Sequence, residues 1–477
     1  MTLPNIVLFV LDAVRFDHLS AYGYSRRTSS VIDNVASQGC LFSQAIATAP
    51  WSLPSYASML TGLYPTQHGA TQTHPRLRLD IPTLAEELGK RGYRTIGLSN
   101  NPWVGETTGL NRGFDVFWEW KAFRSQKPET WTKSIWWRLK RAIGRLQGNY
   151  NEYVLSTQQT LTVAGSQTES ALEQGHPFFL FVNIMAAHLP YSAPPRIRDR
   201  FLRNKKLCNL PRSMRNDASF ITGQVSFSEA EWATLVDLYD GAIAYQDECL
   251  GEFLSDLRGL GVLDDTLLCV TADHGENLGD HGLLGHILCL YDSLLRVPLI
   301  IRWPGKIPAG MIYQNQVQNL DLFFTCLAAA QNQDSAVEPG NSRDLVACIN
   351  GHVGENSSCF AFAEHFEPVI ERNRLQKRCP GFDDPRLHTS LKCVRTADFK
   401  YIWSERTPHE FYDLRADPGE TMNLFGQGHP SETELSGILQ GWTHSMQLGQ
   451  GAAPEPLTIS EIADEEVLER LRALGYL

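Results

Sequence analysis

The chain of 477 residues reads as an α/β fold: a large sheet sandwiched by helices, followed by a smaller α+β unit. Three observations predict this. Short apolar runs recur along the first two-thirds of the chain, helix-length segments separate them, and the texture turns polar and Pro/Gly-bearing after about residue 330. Runs that are apolar at every position, rather than at every second one, suit strands buried on both faces, as in parallel or mixed sheets.

The elements follow in order. Ile6–Leu11, Thr95–Leu98, Phe178–Ile184, Leu267–Val270 and Val297–Ile301 are the core strands. Between them, Ile81–Arg91 (IPTLAEELGKR) and Thr234–Arg258 carry apolar residues at helical spacing, with Gly92 and Gly259 as stops. The stretch QNQDSAVEPGNSRD has the composition of a surface linker. It divides the chain into a larger unit over 1–345 and a smaller one over 346–477. The smaller unit has strands near Phe360–Ala363, Lys392–Arg395 and Lys400–Trp403, then a helix near the C terminus.

With 43% hydrophobic and 20% charged residues, the composition excludes disorder, collagen and coiled coil. Lys+Arg number 42 against 53 Asp+Glu, a net charge of −11. That balance argues against a nucleic-acid partner and for a small molecule. The first apolar run ends at Asp12, far short of the ~20 residues that span a bilayer, and a cleavable secretory signal is not expected before it. A cytoplasmic location is expected. The ten cysteines are scattered without a CxxC pair and read as buried small hydrophobes. One segment stands apart: Lys121–Gly148 carries eight Lys/Arg against Glu129 alone, and five of the eleven tryptophans lie between Trp118 and Trp137. It reads as an amphipathic surface helix packed on the body, or else as a flap facing an anionic or lipid-like ligand, a possible surface contact.

Ligands of open α/β sheets bind beyond the carboxyl ends of the strands. NIVLFVLD ends in Asp12, FFLFVNIMAAH leads to His188, and LLCVTADHGE carries Asp273 and His274. Carboxylates and imidazoles gathered from neighbouring strand ends can hold one divalent cation. Taken singly, each is as well explained as a helix cap or a satisfied core residue. The segment APWSLPSYASMLTGLYP starts a helix at Ser52, with Pro54 in the first turn and Gly62 as the stop. A serine there sits among free N–H groups that favour a bound oxyanion, and a metal-bound serine hydroxyl can act as a nucleophile. For this segment alone an ordinary cap is the plainer account.

Together the segments NIVLFVLDAVRFDHLSAYGY, PWSLPSYASMLTGLYPTQHG, TADHGENLGDHGLLGH with LYDSLLRVPLIIRWPG, and the late KYIW with EFYDLRADPGETMNLF resemble the sulfatase branch of the alkaline phosphatase superfamily. They occur in the family's order from residue 5 to about 424. The resemblance implies a catalytic mixed-sheet α/β domain over 1–345 and a smaller C-terminal domain on an antiparallel sheet over 346–477. It implies one divalent ion held by Asp12, Asp273, His274 and Ser52, with Ser52 the nucleophile and His188 at the leaving group. His286 and Asn100 fall where relatives place substrate-binding lysines. The substrate it implies is a small anionic ester.

This sequence departs from the family pattern at two places. The C/S-x-P-x-R signature, whose first residue sulfatases convert to formylglycine, here reads Ser52, Leu53, Pro54, Ser55, Tyr56, without its arginine. Ala13 replaces the second carboxylate of the usual Asp-Asp pair. Ser52 is therefore expected to stay a hydroxyl, and the reduced oxygen set favours Mn²⁺ or Zn²⁺, with Ca²⁺ and Mg²⁺ as alternatives. A serine ester must be cleared by a second attack at its central atom, which favours phosphoryl over sulfuryl transfer, to water or to another acceptor. Histidine in place of lysine suits a singly charged phosphate diester or phosphonate ester. The competing readings are a sulfatase whose Ser52 matures to formylglycine and a non-catalytic ligand-binding relative. His68, His281, Asp17 and His18 leave room for a second ion.

Overall fold

The structure is a computed structural model that describes residues 3–119, 152–205, 217–330, 342–351, 360–448, 456–474 and 477. The basic, Trp-rich segment and most of the linker lie outside the described residues. Eight strands form the main sheet: β1 (Asn5–Leu11), β2 (Cys40–Phe42), β3 (Arg94–Ser99), β4 (Val116–Glu119), β5 (Phe178–Ile184), β6 (Thr266–Thr271), β7 (Leu299–Arg302) and β8 (Met311–Tyr313). Their order is β8-β2-β7-β6-β1-β5-β3-β4. The sheet is mixed, because β7 runs antiparallel to both β6 and β2 while the other pairings are parallel.

Every residue of β1, β5 and β6 is buried, which is why their sequences are apolar without alternation. Helices cover both faces, as two neighbouring residues of β1 demonstrate. Leu8 pairs with Phe181, against which Tyr56 of the Ser52–Thr61 helix packs edge-on at 5.9 Å. Phe9 points the other way and meets Phe253 of the Glu229–Gly259 helix at 5.7 Å. Both helices are locally encoded. Ser228 and Glu231 form a capping box for the long one. The short one ends at Gly62, with φ +69°, where an added Cβ would stand 2.7 Å from Phe324. Glycine meets both demands at once.

The expected run Val297–Ile301 is divided in the structure. Arg296–Val297 pairs with Ala45–Ile46 in a separate three-stranded sheet, and β7 begins after Pro298. Proline has no N–H for a ladder and marks the change of sheet. The helix expected over Ile81–Arg91 spans Leu84–Gly89, capped by Thr83. The helix expected from Thr234 begins at Glu229, and Gly259 is its last residue.

The later part of the chain folds as a four-stranded antiparallel meander, β9 (Ala361–His365), β10 (Leu391–Arg395), β11 (Phe399–Ser404) and β12 (Glu410–Asp413). One face packs on the Pro430–Leu448 helix, where Trp442 stacks on Phe362 at 4.5 Å. The other, with Ala361, Ala363 and Ile402, packs on Ile46, Leu290 and Leu295. A buried ionic knot reinforces the contact. Lys400 Nζ lies 2.5 Å from Asp292 and 2.6 Å from Glu420, and Arg395 also holds Asp292, at 2.8 Å. No helix among the described residues is long and apolar enough to cross a membrane.

Candidate active site

The parallel strands β1, β5 and β6 deliver their polar ends to one place. Asp12 follows β1, Asp273 and His274 come second and third after β6, and Ser52 opens its helix. All four are completely buried. Among the described residues, the one group of three His/Cys/Asp/Glu side chains with ligating atoms within 4.8 Å of one another is Asp12, Asp273 and His274. Ser52 Oγ is 3.2 Å from His274 Nε2. His274 Nδ1 lies 2.8 Å from the Gly275 carbonyl, which can only accept, so this nitrogen carries the proton and Nε2 presents its lone pair to Ser52.

The two carboxylates are asymmetric. Asp12 Oδ2 accepts from Asn101 Nδ2 (2.8 Å), Tyr56 Oη (3.1 Å) and Asn183 Nδ2 (3.1 Å). Asp273 Oδ1 accepts the Ala13 N–H at 3.1 Å, which Ala13 presents from a left-handed conformation with φ +59°. Their other oxygens, Asp12 Oδ1 and Asp273 Oδ2, are buried with no hydrogen-bond partner. Burial, with Asp273 adding to it, pushes the Asp12 carboxyl up to about 7, and burial does the same to Asp273. Two orphaned anionic oxygens beside an imidazole lone pair fit a divalent cation in oxygen and nitrogen coordination.

Around this centre, three imidazoles are packed together. His286 stacks on His274 with centroids 4.3 Å apart, and His188 meets His286 edge-on at 4.9 Å. His188 Nδ1 donates to the Leu189 carbonyl at 2.6 Å. His286 Nδ1 lies 3.1 Å from Glu276 Oε1, and the same carboxylate receives the Leu189 N–H. Burial pushes Glu276 up to about 8, and its Oε2 has no partner. Burial, together with the neighbouring rings, holds His188 and His286 well below the ordinary imidazole value.

Asn100 is buried beside the site, but its Oδ1 accepts from Thr160 Oγ1 (3.1 Å) on the Glu152–Glu173 helix. Its neighbour Asn101 makes the contacts to the centre, donating to Asp12 and, at 3.0 Å, to Ser52 Oγ. Asn101, Asn183, Tyr56 and Glu276 were absent from the sequence-derived set. Asn101 and Asn183 stand at the ends of β3 and β5, so the strand-end rule that found Asp12 also reaches them. His68 bonds Ser58, Pro54 and Ala70, His18 bonds Asp240, Asp17 pairs with Arg15, and His281 stacks on Tyr291. None joins the three-ligand group.

The carboxyl ends of the sheet thus gather a candidate cation site beside a serine at a helix start. The Sulfatase family model matches residues 4–332, and the chain belongs to that family. Similar curated proteins include the uncharacterized sulfatase YidJ of Escherichia coli (strain K12), 24% identical, covering 89% of this chain and 83% of that protein. The multifunctional alkaline phosphatase superfamily protein PehA of Trinickia caryophylli is also 24% identical, over 89% of this chain and 92% of its own length. Among solved structures, a 2-O GAG sulfatase superposes with a TM-score of 0.69 at 21% identity, covering 94% and 93% of the two chains. The phosphonate monoester hydrolase of Agrobacterium radiobacter gives 0.68 at 21% identity, covering 93% and 95%. At these identities the structural likeness is one of fold.

Proposed function

We propose that the protein hydrolyses or transfers the phosphoryl or phosphonyl group of small anionic esters, with Ser52 as an unmodified serine nucleophile. The observation that carries this reading is the arrangement around Ser52. Tyr56 stands at the arginine position of the formylglycine signature, and its phenol is engaged with Asp12 and Asn183. Ser52 Oγ accepts from Asn101 and faces the His274 lone pair, an arrangement that suits a hydroxyl. The likeness to phosphonate monoester hydrolases and to PehA is compatible with it. We take 1–345 as the catalytic unit and 346–477 as a smaller C-terminal unit.

Asp12, Asp273 and His274, with Ser52, would hold the divalent cation. When bound, such an ion neutralises charge on the nucleophile and on a nonbridging oxygen. The residues do the rest. Asn101 aims the Ser52 oxygen, and the helix start supplies backbone N–H groups on the attacked side. His286 meets a nonbridging oxygen of the ester, and a neutral ring there suits a singly charged substrate better than a dianion. His188, held through Nδ1 by the Leu189 carbonyl, acts at the leaving oxygen. The negative charge of the ester supplies what this buried ring needs to hold a second proton.

Purified protein supplied with Mn²⁺ or Zn²⁺ and offered aryl phosphate mono- and diesters, an aryl phosphonate and an aryl sulfate tests the reading, together with the mass of the peptide containing Ser52. Turnover of phosphorus esters by a protein of unmodified mass is expected. Turnover of sulfate alone, with two hydrogens missing at Ser52, would refute it. A maturing sulfatase is the second reading, favoured by the sulfatases among the relatives.

A further inference from the structure

The turn that carries His286 is thinly held by its own secondary structure. It leaves the two-residue strand Leu284–Gly285, which pairs only with Asn277–Leu278. So short a ladder is marginal alone. A charged cluster from elsewhere in the chain buttresses it. Arg374, buried on the Val369–Arg378 helix that follows β9, grips Asp217 with both arms of its guanidinium: Nη1 to Oδ1 at 2.7 Å, Nη2 to Oδ2 at 2.6 Å. Its Nε donates to Glu371 at 2.7 Å. Asp217 Oδ1 also takes the Ala218 N–H at 2.8 Å.

The gripped carboxylate lies beside the turn. A methyl group on Gly285, which has φ +86°, would stand 3.4 Å from Asp217 Oδ2. The next residue is His286, whose electrostatic surroundings include both Asp217 and Arg374. The guanidinium is matched by two carboxylates, so its charge is committed and it is poorly suited to binding a substrate anion. Its planar fork is what this contact uses; a lysine ammonium carries the charge but cannot reproduce the two-point grip.

We propose that Arg374 is a positioning residue for His286. Through Asp217 it fixes the Gly285–His286 turn, keeping the imidazole stacked on His274 with Nδ1 on Glu276. A residue of the C-terminal region thereby sets the geometry of a group in the catalytic centre. The inference rests on His286 being a substrate-oxygen ligand, as proposed above.

A double-mutant cycle tests it, using full-length protein with its metal and whichever aryl ester the parent turns over. Arg374→Lys should lower kcat/KM about 10- to 100-fold, the range seen when a partner that orients a reacting-site ligand is lost. In a His286→Ala background the same change should cost no more than about twofold, because residues acting as a unit are non-additive. Equal losses in both backgrounds, or parental kcat/KM in Arg374→Lys, would overturn the proposal. Should Arg374→Lys fail to fold, Asp217→Asn tests the same link and must show the same non-additivity. A His286→Ala protein as active as the parent would sink both the proposal and the role given to His286. Failure of the Arg374 link alone leaves His286→Ala impaired and uncoupled.

Discussion

Replacing Asn101 with alanine removes three bonds with one side chain: 2.8 Å to Asp12 Oδ2, 3.0 Å to Ser52 Oγ, and the 2.9 Å bond its Oδ1 accepts from the Trp103 N–H. Asp12 keeps Tyr56 and Asn183 as donors, so its carboxylate stays solvated by protein. The stability loss should be about 3–6 kcal/mol, combining a buried bond to a charged group with the loss of the acceptor of the Trp103 N–H. The effect on catalysis is larger. Ser52 then loses the amide that orients its oxygen and keeps His274 and the cation site, and a misplacement of the order of 1 Å costs about 100-fold, or about 2.7 kcal/mol of barrier. Because Asn101 touches the nucleophile and neither His188 nor His286, the loss should fall on kcat, with KM changing about twofold or less. Steady-state kinetics on an aryl phosphonate, with thermal unfolding as a control for folding, measures both quantities. A kcat within about threefold of the parent would refute the orienting role, as would a rise in KM that accounts for the whole effect.

Lys400→Met strands Glu420 and part of the Asp292 charge between the main body and the small sheet. It should cost about 3–5 kcal/mol in urea unfolding, and a loss below about 1 kcal/mol would show that the knot is not a clamp. Asp247 accepts the Val31 and Ile32 N–H groups, yet burial pushes its carboxyl from 3.8 up to about 6. A folded value above the unfolded one means the folded state binds the proton more tightly. Stability is therefore lost as pH rises from about 4 through about 6, by about 3 kcal/mol. Asp247→Asn removes that slope, so the stability difference between variant and parent should move in the variant's favour by this amount between pH 4 and 7; a constant difference contradicts it. Mn²⁺ or Zn²⁺ at about 100 times its Kd should add about 2.7 kcal/mol to stability, and Asp273→Asn should abolish the rise in Tm. An equal rise in both proteins places the ion elsewhere.

The groups that were legible in the sequence share one property: each is tied to the local direction of the chain. A run buried on both faces announces a parallel strand, and the residue at its carboxyl end is fixed by the next one or two dihedrals. Asp12, Asp273 and His274 were found in this way. Pro54 and Gly62 bracket the helix that Ser52 opens, while its reading as a nucleophile came from the resemblance to the sulfatases. The choice between Asn100 and Asn101 was not open to such reasoning. Both follow β3, and the bend after Ser99 turns one amide to Thr160 and the other to Ser52. Tyr56 was legible only as a missing arginine; its bond to Asp12 joins two elements that meet by packing. The same holds for Pro298, whose break in the apolar run is visible in sequence while the change of sheet is not.

What the sequence determined by itself was the sheet-and-helix order, the strand-end carboxylates and the helix-borne serine, since strand burial, capping and proline are properties of neighbouring residues. The tertiary structure alone decided which asparagine bonds the serine, which carboxylate oxygens have no hydrogen-bond partner, and that Arg374 grips Asp217 beside the turn that carries His286. These depend on distances across the fold between segments far apart in the chain, and no local pattern of residues encodes such a distance.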